Sequence, residues 1–184
     1  MKKLTHEEIA ARRLKVEAID DKHRMPVVVL LDNIRSLYNV GSIFRTADGV
    51  LVRKLLLAGF TPHPPRKEID KTALGATLSV PWEHYTSTTS AIASIRSEGY
   101  KVCCLELTTE SLPYSEVRKE DFPLCLVIGN EINGVSKDIV EQCDLALEIP
   151  MFGTKQSLNV SVAFGIAAFE LSRIWRDHQS NALV

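Results

Sequence analysis

The sequence predicts an α/β protein with a mostly parallel sheet flanked by helices. Short runs that read as strands recur at 27–31, 54–58, 80–85, 101–107 and 124–128, and another ends at Ile149. The runs at 27–31 and 124–128 are continuously apolar, the pattern of a strand covered on both faces. Segments with helical spacing lie between the runs, so strands and helices alternate. The last such segment is the most regular. Val160, Ala163, Phe164, Ala167, Ala168, Leu171, Ile174 and Trp175 fall on one helical side, and Val162, Ile166 and Phe169 make much of the other side apolar. That helix is expected to be largely buried.

The chain has 184 residues, 45% hydrophobic and 24% charged, with a net charge of −1. This length suits one domain with a sizeable core. A near-neutral chain argues against a polybasic coater of nucleic acid but leaves room for a local basic patch. No apolar run approaches a membrane span, and the charged start lacks an apolar signal core. Cys103, Cys104, Cys125 and Cys143 show no metal-knuckle spacing and read as reduced core residues of a cytoplasmic protein.

Taken in order, residues 5–21 are expected to form a helix opened by a Thr5–Glu8 capping box, with Glu8 paired to Arg12 one turn on. Its apolar side is thin (Ile9, Val16, Ile19), and Arg12, Arg13 and Lys15 cluster, so it is a solvated surface helix or one that touches RNA. A strand at 27–31 leads through a polar stretch to a helix over 40–51. Arg45 lies off the apolar face of that helix, one turn after Gly41, which leaves its guanidinium unshielded. After the strand at 54–58, residues 59–67 form a stiff Pro-rich loop with a basic end. A short helix over 71–76, a strand at 80–85, a helix over 87–98 closed by Gly99 and a strand at 101–107 follow. A polar loop spans 108–121. The buried strand at 124–128 runs into G-N-E-I-N-G-V-S, Gly129 to Ser136, whose glycines allow tight turns and close approach of a ligand. Ser136 caps a short helix to about 142. The final strand is broken by Pro150 and Gly153, and Ser157 is the expected N-cap of the last helix. Ser157, Asn159 and Ser161 place three small polar groups beside the orphan N–H donors there, as helix caps or as a ligand site.

Several common signatures are missing. There is no G-x-G-x-x-G after the first strand, no G-x-x-x-x-G-K-[ST], no H-E-x-x-H and no G-x-S-x-G. Three other segments stand out: N-I-R-S-L-Y-N-V-G-S-I-F-R-T-A from Asn33, L-V-I-G-N-E-I-N-G-V-S from Leu126, and I-P-M-F-G-T-K-Q-S-L-N-V-S-V-A from Ile149. In this order and spacing they resemble the three motifs of the SpoU/TrmH family of RNA ribose 2′-O-methyltransferases, within the SPOUT superfamily. The resemblance covers about residues 27–175. It departs at Ile132, where many relatives carry glycine.

The chain is expected to form a single SPOUT methyltransferase domain over 1–184; many relatives carry a separate N-terminal RNA-binding domain, and here only a helical extension over 1–25 is expected in that place. The resemblance implies a C-terminal deep trefoil knot, which general rules of chain connectivity would not suggest. It implies a homodimer with the active site completed across the interface, S-adenosylmethionine as methyl donor with no metal, and transfer or ribosomal RNA as substrate. By motif position the donor would lie against Gly129, Ile149 and Leu158. The catalytic set would be Arg45, Asn39, Glu131, Ser157 and Asn159. Arg45 would act as base or as a cation favouring the developing alkoxide; as a base it would have to lose a proton that guanidinium holds tightly. Asn39 would orient the RNA or Arg45, or cap its own helix. Glu131 would hold Arg45 or another hydrogen-bond donor in place. Lys155, Arg66 and Lys67 are candidate contacts to the RNA backbone. The other reading is a catalytically inactive RNA-binding module on the same fold.

Overall fold

Every residue of strand β1 (Met25–Asp32) except Pro26 is buried, because it is covered on both faces. Val27, Val29 and Leu31 join one apolar cluster, and Val28 and Leu30 join another. This alternation is the period-two geometry of a central strand between two helical layers. The structure, a computed structural model, describes residues 1–181, with side chains described through residue 177.

Six further strands are described: β2 (Val52–Ala58), β3 (Trp82–Tyr85), β4 (Lys101–Leu105), β5 (Leu112–Pro113), β6 (Leu124–Ile128) and β7 (Leu145–Glu148). They form one sheet in the order β3-β2-β1-β6-β4-β7-β5, and every described pairing is parallel. One face is covered by α2 (Leu37–Val50), α3 (Lys67–Ala73) and α7 (Val160–Asn181), through Phe44, Ile43, Ile69, Phe164 and Leu171. The other is covered by α5 (Thr88–Ser97) and α6 (Lys137–Val140), through Ile92, Ile95 and Ile139. The route of the chain matters for the site. After β4 it runs out to the sheet edge at β5, returns to the centre as β6, and goes back beyond β4 as β7. Helix α7 then recrosses to pack on α2. The carboxyl ends of β6, β4 and β7 therefore lie side by side.

Several expected elements differ. Residues 5–21 are not one helix. The capping box of Thr5 and Glu8 forms, but α1 (His6–Ala10) ends after five residues and two single-turn 3₁₀ segments follow. No residue of α1 is buried, and so short a helix has little intrinsic stability without a packed face. The short helix expected over 71–76 is two helices, α3 and α4 (Ala76–Ser79), separated by left-handed Leu74 and Gly75. The loop at 108–121 contains edge strand β5. Gly41 does not serve to unshield Arg45. A Cβ there would lie 2.1 Å from Thr72 Oγ1 and 2.3 Å from the Ile69 carbonyl oxygen, so the glycine lets α2 and α3 touch. Cys103, Cys104 and Cys125 are buried, Cys143 is half-buried, and all four are free.

Candidate active site

The site begins where β6 ends. An antiparallel bridge between Asn130 and Gly134 closes a tight loop. Gly129 sits so close beneath it that a Cβ would lie 2.2 Å from the Gly134 carbonyl carbon. Gly134 takes φ +63°, a left-handed conformation that glycine adopts at no steric cost. The Asn130 Oδ1 accepts from the Ile132 and Asn133 N–H groups at 2.9 and 3.3 Å. Its Nδ2 donates to the Asn33 carbonyl at 2.7 Å. Ile132 is 70% exposed, so its side chain meets no obstacle.

Glu131 reaches from this loop to the start of α2. One carboxylate oxygen accepts the Arg35 N–H at 2.8 Å. The other accepts the Ser36 N–H at 2.9 Å and Asn39 Nδ2 at 3.0 Å. Burial raises the carboxyl pKa, but the hydrogen bonds from Arg35, Asn39 and Ser36 outweigh it and hold the group below the usual carboxylate value. Asn39 then extends the chain of contacts, its Oδ1 accepting from Asn159 Nδ2 at 3.2 Å. Asn159 Oδ1 in turn accepts the Ser161 N–H at 2.9 Å and the Ser161 hydroxyl at 2.7 Å. Glu131, Asn39 and Asn159, one from each conspicuous segment, thus form a single hydrogen-bonded line.

Two caps differ from expectation. The cap of α7 is Asn159 rather than Ser157, because only the amide of Asn159 reaches a free N–H of the first turn. Ser157 lies two residues earlier, exposed, with no hydrogen bond among the described residues. Asn39 does not cap α2: Ser36 does, accepting the Asn39 N–H at 3.3 Å, which frees the Asn39 amide for its neighbours.

A cleft of about 480 Å³ opens at the carboxyl ends of β6, β4 and β7, within the range of sites that enclose a ligand of drug size. Gly129, Glu131, Ile149, Ser157, Leu158 and Asn159 all line it. Leu105, Ile128 and Met151 add apolar wall. Asn39 is tied to the rim through Glu131 and Asn159. Arg45, Lys155, Arg66 and Lys67 are not in the lining; all four are exposed. Arg45 has no side-chain hydrogen bond or ion pair among the described residues. It shares one face of α2 with Tyr38, Ser42 and Gly49, at helical spacing.

Two cleft carboxylates escaped the sequence reading. Glu106, just past β4, accepts the Val135 N–H at 2.9 Å and the Leu107 N–H at 3.0 Å. It fills the space a Gly134 side chain would need, with Oε2 2.1 Å from the ideal Cβ. Glu148, at the end of β7, accepts the Ser111 hydroxyl at 2.5 Å. The available signal was position alone, since ligands in parallel sheets gather at the carboxyl ends of strands. No group of three or more His, Cys, Asp or Glu placed to hold a metal occurs among the described residues.

The fold and cleft define a class: a parallel α/β protein whose ligand site is built from three polar loops at the carboxyl ends of neighbouring strands. The chain belongs to the SpoU rRNA Methylase family, whose pattern matches residues 26–169. It is 33% identical over 167 residues to the tRNA (guanosine(18)-2′-O)-methyltransferase of Aquifex aeolicus, covering 90% of this chain and 78% of that one. It is 32% identical over 163 residues to a Staphylococcus haemolyticus relative placed in the TrmH family of tRNA/rRNA methyltransferases, covering 86% of this chain and 63% of that one. The crystal structure of an AdoMet-bound rRNA methyltransferase from Sinorhizobium meliloti superposes with a TM-score of 0.76 at 28% identity, covering 88% of this chain and 61% of that one. The chain therefore spans less than two thirds of the length of two of these three relatives.

Proposed function

We propose that the protein is an S-adenosylmethionine-dependent RNA methyltransferase that modifies a ribose 2′-hydroxyl of transfer or ribosomal RNA. The observation that carries this reading is the hydrogen-bonded line Glu131–Asn39–Asn159 across the mouth of a cleft floored by Gly129. It joins the three segments that resemble the family motifs. The names of the Aquifex aeolicus and Sinorhizobium meliloti relatives support the same activity.

The cleft fits the donor. Gly129 lets the 130–134 turn pack tightly at the edge of the cleft, Ile149 and Leu158 offer apolar surface and backbone groups for an adenosine, and carboxylates face a sulfonium. When bound, the donor supplies an electrophilic methyl group with a neutral thioether as leaving group. The protein's part is to deliver the hydroxyl. Ser157 and Asn159, at the start of α7, face the approaching ribose and phosphate, where helix N–H groups favour an anion. Glu131 and Asn39 hold that edge in register. Arg45 pairs with the phosphate and favours the developing alkoxide, a role open to a group that stays protonated. Lys155, Arg66 and Lys67 grip the RNA backbone.

A homodimer completes the site. Val162 and Phe169 on α7 are 50% and 60% exposed, and Tyr38 on α2 is 50% exposed. The Phe169 ring lies against Gly49, 3.9 Å from its ideal Cβ position. This apolar strip contains Arg45, so a second copy seated on it brings a guanidinium to the edge of a cleft. The threading of the last segment is read as the trefoil knot of the family, in line with the recrossing of α7. The chain is read as one catalytic domain, with residues 1–25 as an extension that assists RNA binding. No helix among the described residues is long and apolar enough to cross a membrane; a cytoplasmic location is part of this proposal and rests on the proposed RNA substrate alone.

Incubation with methyl-labelled S-adenosylmethionine and RNA from a strain lacking the protein, followed by digestion to nucleosides, tests this reading. Label on ribose 2′-oxygens, lost in Arg45→Ala, is expected. Label confined to bases, or none from the intact protein, would refute it.

A further inference from the structure

The charge of the cleft is one-sided. Glu106, Glu131 and Glu148 line it, and no Lys, Arg or His does so. Their contacts do not neutralise them. Glu106 is held by the Val135 and Leu107 N–H groups, Glu148 by the Ser111 hydroxyl, and Glu131 by two backbone N–H groups and an amide. Neutral groups supply every one of these hydrogen bonds, and none of the three carboxylates forms an ion pair among the described residues. Glu106 is also rigidly placed, because its carboxylate occupies the space beside the Cα of left-handed Gly134.

Methyl transfer changes the charge of the ligand in this cleft. The bond between sulfur and the methyl carbon breaks with its electron pair returning to sulfur. A bond forms between the methyl carbon and the ribose oxygen, and the hydroxyl proton leaves. The sulfonium thereby becomes a neutral thioether, so the ligand loses one positive charge. We propose that Glu106 and Glu148 set the preference of the cleft for the cationic donor over the neutral product, and so weaken product inhibition. This rests on the methyl-donor reading above. Because these carboxylates are only partly exposed to water, removing one charge should shift the preference by roughly threefold to thirtyfold.

Calorimetry with S-adenosylmethionine and with S-adenosylhomocysteine tests this on the wild type, Glu106→Gln and Glu148→Gln. The Ser111 hydroxyl can turn to accept from the new amide in Glu148→Gln, so that variant removes charge while keeping the contact. It decides the matter if Glu106→Gln disturbs the loop. In each folded variant the ratio of donor to product affinity should fall by roughly threefold or more, while product affinity stays within about twofold of wild type. Salt should weaken donor binding more than product binding. Binding of both ligands with an unmoved ratio in the variants would overturn the charge inference alone. Binding of neither ligand to the wild type would overturn it together with the methyl-donor reading.

Discussion

Replacing Glu131 with glutamine probes the link between the three loops. The carboxylate accepts from Arg35 N–H at 2.8 Å, Ser36 N–H at 2.9 Å and Asn39 Nδ2 at 3.0 Å. In Glu131→Gln an amide nitrogen replaces one oxygen and faces a donor, so at least one bond is lost and the others lose their charge. Hydrogen bonds to a charged group contribute about 1.5–3 kcal/mol each when sheltered. This carboxylate is partly open to water, which recovers much of that, so a total loss of about 1–2 kcal/mol is expected. For a chain of this size that is a fall in melting temperature of about 3–6 °C. Urea unfolding, run as a double-mutant cycle with Asn39→Ala, should show coupling of about 0.5–1 kcal/mol between the two sites. The pH dependence has a definite sign. The folded carboxyl lies below its ordinary value of 4.5, so its contribution is present above that value and fades as pH falls through the folded pKa. The wild type should therefore lose more stability than Glu131→Gln between about pH 6 and pH 3. A variant as stable as wild type, with no coupling to Asn39, would refute the bridging role.

Arg45→Ala should leave the unfolding midpoint within about 0.5 kcal/mol of wild type, because the exposed side chain has no partner among the described residues. Methyl transfer by the same variant should fall by about 100-fold or more if the guanidinium favours the alkoxide. Phe169→Glu places a charge on the apolar strip of α7, and if the proposed homodimer forms there, sedimentation should show a dimer for the wild type and a monomer for the variant, with loss of transfer activity. Burial pushes the Cys125 thiol up to about 12 and Cys103 well above its ordinary value. A raised thiol pKa means less thiolate, so iodoacetamide at pH 8 should leave both unlabelled until urea unfolds the chain.

Much of the architecture was legible because it rests on local pattern. Continuous apolar runs marked β1 and β6, and helical spacing marked α2 and α7, since a strand or helix covered by neighbours must be apolar where it is covered. What escaped depended on tertiary contact. Residues 5–21 have the cap and periodicity of a helix, yet none of them is buried, and only one short helix and two 3₁₀ turns persist. Edge strand β5 is two residues long and carries no period. Gly41 looked like an opening beside Arg45, but its meaning lies in α3, nearly thirty residues further on. At the site, Gly129, Glu131, Ile149, Ser157, Leu158 and Asn159 line one cleft. The choice of Asn159 over Ser157 as cap turned on which side chain meets the first free N–H, which spacing does not reveal. Glu106 was missed because a lone glutamate after a strand has no motif. Only the fold shows that β4 ends inside the cleft.

The claim that everything else depends on is that the loops after β6, β4 and β7 form the donor site. Hydrogen–deuterium exchange with and without S-adenosylmethionine tests it most directly. Protection on adding the donor should be confined to the amides around Glu106, Gly129 to Gly134 and Ile149 to Asn159. Protection elsewhere on the sheet, or none at donor concentrations that support transfer, would contradict it.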